Sequence, residues 1–216
     1  MKYQVKDIIR EIRVALDQNM SSAPLVALGD VDTLSLEDII HSKIVDAVRS
    51  VEVAAPIDKL GSGLPFGESI AWNGQPGQGS GYILLPDDFL RLLSFQMSDW
   101  SRAAYEAISP ADPRYALQSS RFPGVRGCPQ KPVVAIVDRA IGKTLEFYSC
   151  TGGQSVTIKQ ANYLPLPKEQ LGEIYIPHLI KDAVVYYAAY LVAVSTQQDE
   201  QAQAILAISN TLINNQ

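Results

Sequence analysis

The sequence predicts an α+β chain: N- and C-terminal helix pairs forming one helical bundle, with an antiparallel β lobe inserted between them. Three observations predict it. Apolar residues recur at three- and four-residue spacing near both ends, and in the middle the period falls to two. Composition also changes at Leu60, with seven of the fourteen glycines falling between Gly61 and Gly81. Helices segregated from antiparallel strands belong to this class. The bundle is expected over residues 1–60 and 168–216, and the β region over residues 61–167.

The first helix is expected over residues 3–18. Val5, Ile8, Ile9, Ile12 and Leu16 share one face, and Lys6, Asp7, Arg10 and Arg13 lie mostly elsewhere. A loop carrying Pro24, Gly29, Asp30 and Asp32 follows. Ser35 opens the second helix, with Asp38 three residues on as a short-armed capping box. Ile40, Ile44, Ala47, Val48 and Val51 supply its apolar face, and Pro56 ends it.

Inside the glycine-rich stretch, residues 68–72 read as a strand facing residues 82–85 across a long surface loop. Asn73, Gln75 and Gln78 on that loop are candidate partner contacts. Pro86-Asp87-Asp88 makes a sharp corner, after which Leu93, Phe95 and Met97 alternate with Ser94, Gln96 and Ser98 as in a half-buried strand. Residues 112–119 suggest a short helix. Residues 132–138 and 144–150 read as strands around the turn Arg139-Ala140-Ile141-Gly142-Lys143, and residues 155–163 as a further strand. Apolar residues then return to helical spacing from Ile176 to about Ser195, with Pro177 in the first turn. Asp199-Glu200 open a last helix, where acidic side chains suit the dipole.

The hydrophobic fraction of 47% and charged fraction of 19% describe an ordered globular protein. A net charge of −5 argues against general duplex-DNA binding. The longest apolar run, residues 183–194, is shorter than the ~20 residues of a membrane span, so no membrane association is expected. Cys128 and Cys150 have no zinc or redox spacing and are expected as free thiols.

Gly142-Lys143-Thr144 resembles the end of a phosphate-binding loop, but the glycine that motif needs five positions earlier is Val137. Asp87 and Asp88 suit turn and cap roles better than a paired acid and base. His41 and His178 lack a local nucleophile and are expected as structural residues. No catalytic, cofactor-binding or metal-ligating residue is assigned. Arg121, Arg126, Lys131, Arg139 and Lys143 form a locally basic stretch, adding Arg121, Arg126, Arg139 and Lys143 to the candidate partner contacts.

One combination of residues is more telling. It runs from Tyr82-Ile83-Leu84-Leu85-Pro86-Asp87-Asp88-Phe89-Leu90-Arg91-Leu92 through Trp100 to Pro132–Val137, then Leu145-Glu146-Phe147-Tyr148 and Asn162-Tyr163. It ends with the helix from Leu179 through Ala189 and with Asp199-Glu200-Gln201-Ala202. The combination resembles the head-to-tail adaptor (connector) proteins of short-tailed bacteriophages, including the ring proteins of crAss-like phages of Bacteroidales. The resemblance implies a structural virion protein at the portal vertex, assembled in the host cytoplasm. It further implies a homomeric ring, commonly of twelve copies, that contacts the portal protein and other tail or ring proteins. Genomic DNA would pass through its channel without sequence-specific binding. No catalytic residue or cofactor comes with the resemblance. The alternatives are an enzyme using Asp87, Asp88 and His41 or His178, and a carbohydrate- or protein-binding module using the β lobe.

Overall fold

The structure is a computed structural model that describes residues 1–16, 35–67, 69–120, 122 and 125–214. Among these the elements run β1 (Lys2–Gln4), α1 (Val5–Ala15), α2 (Leu36–Ala54), β2 (Leu64–Pro65), β3 (Ala71–Trp72), β4 (Gly79–Leu84), β5 (Phe89–Met97) and β6 (Ala107–Ile108). Then come α3 (Pro113–Leu117), β7 (Val134–Arg139), β8 (Gly142–Cys150), β9 (Ile158–Pro165), β10 (Glu169–Gln170), β11 (Glu173–Tyr175), α4 (Lys181–Ser195) and α5 (Asp199–Asn214).

A helical bundle carrying an antiparallel β lobe is not what these elements build. The described residues hold eleven strands in three sheets against five α-helices, so the chain is a β-rich α+β protein. One sheet, in the order β1–β11–β10, belongs to the same compact unit as the long helices. One pairing, β6 with β7, is parallel. The missed strands are two or three residues long, too short for a period of two to register in the sequence. Residues 3 and 4, expected in the first helix, instead extend along β11.

Two compact units divide the chain, one of residues Met1–Gly61 with Pro167–Gln216 and one of Ser62–Leu166. In the first, α4 packs against α1, α2 and α5. Its buried residues include Ala183, Ala188, Ala189 and Ala193, whose small side chains let neighbouring helices come close. Ser35 caps α2 in a full capping box, its side chain accepting from the Asp38 N–H while the Asp38 carboxylate accepts from the Ser35 N–H. The Lys59 ammonium donates to the Ile213 carbonyl at 2.8 Å, satisfying one of the carbonyls that a helix C-terminus leaves without an intrahelical donor. The expected end of the first helix at Gln18 and the loop with Pro24, Gly29, Asp30 and Asp32 lie outside the described residues.

In the second unit a three-stranded sheet, β2–β9–β5, and a five-stranded sheet, β3–β4–β8–β7–β6, share one core. The Pro86-Asp87-Asp88 corner therefore carries the chain from one sheet to the other, and β4 and β5 do not pair. Phe95 is fully buried at the centre of an aromatic group, 5.7 Å from Trp100, 5.9 Å from Phe147 and 6.3 Å from Phe66 between ring centroids. The expected half-burial of β5 gives way to burial on both faces. Ser94 and Gln96 are inside because each has a partner: Gln160 donates to Ser94 at 2.8 Å, and Gln96 donates to the Trp100 carbonyl at 2.9 Å.

The glycine-rich stretch is more structured than a long loop. It supplies β2 and β3, and Trp72 packs edge-on against Phe147 at 5.2 Å. Gly77, with φ of +75°, lies so close to the backbone of Gly153 that a Cβ would stand 1.5 Å from its carbonyl oxygen. Of the residues expected as a strand from Glu68 to Trp72, only Ala71 and Trp72 form one, and Glu68 lies outside the described residues.

Candidate functional site

β5 and β6 are edge strands of different sheets, and the chain joins them at only one end. Phe95 and Ala104 exchange both backbone hydrogen bonds at 2.8 Å; beyond that bridge a cleft of about 280 Å³ opens. Phe89, Leu90, Arg91 and Leu92 form one wall, Tyr105, Glu106 and Ala107 the other, and Ile136 also lines it. Burial lowers the Arg91 guanidinium below its ordinary value, and the Glu106 carboxylate pulls it back up. Glu106 also acts on Arg114, which grips Asp112 at 2.7 Å. Phe89 and Leu92 belong to the core behind this wall, so the cleft presents polar atoms at least as much as apolar ones, with Tyr105 exposed at its rim.

A second cluster lies on the five-stranded sheet. Glu146 accepts from the Arg139 guanidinium at 2.6 Å, from the Tyr148 hydroxyl at 2.7 Å and from the Tyr115 hydroxyl at 3.2 Å. Arg139 also stacks over the Tyr82 ring, 4.1 Å from its centroid. Burial works against the Glu146 charge, yet the bonds from Tyr148 and Arg139 outweigh it and hold the carboxyl below its usual value. The Tyr148 hydroxyl is pushed well up by burial and by that carboxylate. With its oxygens occupied, Glu146 is a clasp holding α3 to the sheet through Tyr115.

The residues singled out in the sequence are distributed over several places. Asn73, Gln75 and Gln78 are exposed together on the β3–β4 connection, where Asn73 donates to the Ser80 hydroxyl at 3.1 Å. Lys143 is exposed on the β7–β8 hairpin, whereas Arg139 on the same hairpin is held by Glu146 and Tyr82. Arg126 is half-buried on the connection after α3, and Arg121 lies outside the described residues. Asp88 accepts from the Tyr163 hydroxyl at 2.8 Å, fastening the corner to β9. His41 stands 2.9 Å from Glu169, and His178 faces the Tyr3 hydroxyl at 3.0 Å. Among the described residues neither ring meets a serine or cysteine, and no group of three or more His, Cys, Asp or Glu is placed to hold a metal. No described helix is long and apolar enough to cross a membrane.

Sequence reasoning missed the cleft. Arg91, Tyr105 and Glu106 share no motif, and only the parting of two sheet edges brings them together.

Both cysteines are free, Cys128 half-buried and Cys150 buried. Burial pushes the Cys150 thiol up to about 12, with the Asp99 carboxylate adding to the effect. An alkylating reagent at pH 8 is therefore expected to leave Cys150 unmodified until the protein is unfolded. Mass spectrometry of the labelled native chain checks this, and rapid native labelling of Cys150 would refute it.

No protein-family model and no curated protein matches the chain.

Proposed function

We propose that the chain is a ring-forming structural adaptor of a bacteriophage virion, placed between portal and tail and extending the DNA channel. The reading rests on the resemblance that runs from Tyr82 through Leu92 to Asp199-Glu200-Gln201-Ala202. The structural observation that supports it is the insertion: both chain ends fold into one unit, and residues 62–166 make another. A subunit of a closed ring must present two different, mutually complementary surfaces, which two dissimilar units can supply. Each turns large apolar side chains outward, Leu171 and Leu179 on the first and Leu84, Phe122 and Ile141 on the second.

The copy number of twelve comes from the resemblance alone. Each subunit contact should bury about 1,000 Å² or more to hold as a specific interface. A net charge of −5 suits a wall that DNA passes without being held. The portal protein would act as a template on which the copies assemble.

The test is assembly on the portal. Purified portal rings mixed with the purified chain should show added ring density on one face by electron microscopy, with about one copy per portal subunit. Portal rings that stay bare at saturating chain concentration would count against the reading.

A further inference from the structure

Asn73-Gly74 is the one asparagine–glycine step in the chain. Glycine has no Cβ to crowd its own backbone nitrogen, so that nitrogen can approach the carboxamide of the asparagine before it. In a folded protein such a step is inert where packing or hydrogen bonds hold the two groups apart. Neither holds them here.

Both residues are exposed on the β3–β4 connection. A Cβ added at Gly74 would meet nothing within 4 Å, and its φ lies outside the left-handed region. The last rung of the hairpin runs from the Asn73 N–H to the Ser80 carbonyl at 3.0 Å, and within the connection the Gln78 N–H donates to the Gln75 carbonyl at 3.1 Å. Both bonds pass Gly74 by, and its N–H has no hydrogen-bond partner among the described residues. The Asn73 carboxamide donates to the Ser80 hydroxyl at 3.1 Å, an exposed bond that water can replace. A nucleophilic nitrogen and an electrophilic carbonyl carbon are therefore neighbours in the chain, both in contact with solvent and neither packed.

We propose that Asn73 is a site of spontaneous deamidation in the native protein. The Gly74 nitrogen gives its proton to solvent base and bonds to the Asn73 Cγ. The Cγ–Nδ2 bond breaks, and the nitrogen leaves as ammonia with a proton taken from water. Water then opens the succinimide ring at either carbonyl. Attack at Cγ gives aspartate. Attack at the Asn73 backbone carbonyl carbon gives isoaspartate, whose main chain runs through Cγ. The whole sequence consumes one water, releases one ammonia and oxidises nothing.

Conversion replaces the Nδ2 donor to Ser80 by a carboxylate, and isoaspartate lengthens the main chain by one methylene just beyond the last rung of the hairpin. The exposed group of Asn73, Gln75 and Gln78 thereby gains a negative charge as the protein ages. This chemistry needs no partner and goes beyond the ring reading, so it stands or falls without it.

The test is peptide mapping of the full chain by mass spectrometry after incubation at pH 8, with the isoaspartyl and aspartyl peptides separated by chromatography. Asn73 is expected to exchange its amide nitrogen for oxygen before any other asparagine does, and more slowly at pH 6, where less of the Gly74 nitrogen is deprotonated. The native chain and the urea-unfolded chain should convert at rates within about tenfold of each other, because no local opening has to precede the attack. Gly74→Val has room for its side chain and crowds the nitrogen, so it should lose the conversion over the same period. Another asparagine converting first would overturn the proposal. So would an Asn73 that stays intact in the native chain while it converts in urea, or a Gly74→Val protein that converts at the parental rate.

Discussion

Replacing Glu52 by glutamine is expected to stabilise the protein at alkaline pH and to leave it nearly unchanged at pH 5. Glu52 is buried within α2, and burial raises its carboxyl from the ordinary value of 4.5 to about 8. The folded state therefore holds a proton that the unfolded chain releases at lower pH. Its stabilising share is complete below about pH 4.5 and is lost as pH rises through about 8, where the folded protein must carry a buried charge. The loss approaches about 1.4 kcal/mol per pH unit, or roughly 4 kcal/mol between pH 5 and pH 9. Glutamine keeps the shape and carries no charge to bury, so the difference between variant and parent should grow over that window. Denaturant unfolding of both proteins at pH 5, 7 and 9 measures it, and a constant difference would refute the account.

Phe95→Ala is expected to cost about 3–5 kcal/mol, the penalty of a large cavity in a close-packed core. Phe95 is fully buried, with Phe66, Trp100 and Phe147 around it. The two tryptophans of the chain, Trp72 and Trp100, both lie in the second unit, so their fluorescence reports its unfolding. The transition of the variant should move to much lower denaturant with its slope unchanged. A loss below about 1 kcal/mol would mean that the aromatic group is not the centre of this core.

The parts of the fold legible in the sequence are those whose signals are local and repeated. Ser35 and Asp38 announce the start of α2 because a capping box is written in four residues. Ile40, Ile44, Ala47, Val48 and Val51 trace its buried face because a helix repeats its spacing over several turns. Ser94 and Gln96 show the limit of such reading. Their alternation with Leu93, Phe95 and Met97 suggests a wet face, but a hydrogen bond from the distant Gln160 to Ser94 and one from Gln96 to the nearby Trp100 carbonyl let both be buried. The β1–β11 pairing was illegible for another reason: it joins residues 2–4 to residues 173–175, and nothing local encodes that contact. The same holds for the cleft, which exists because β5 and β6 part after Phe95 and Ala104. Leu171-Gly172 could have been found, since a turn ending in glycine is a hairpin signal, although leucine in its first position hides it.

Reconstruction of intact virions by electron microscopy, without imposed symmetry at the portal vertex, tests the structural-adaptor reading most directly. The account expects a closed ring of this chain against the portal, about twelve copies, with the channel running through its centre. A single copy, or a position away from that vertex, would contradict it.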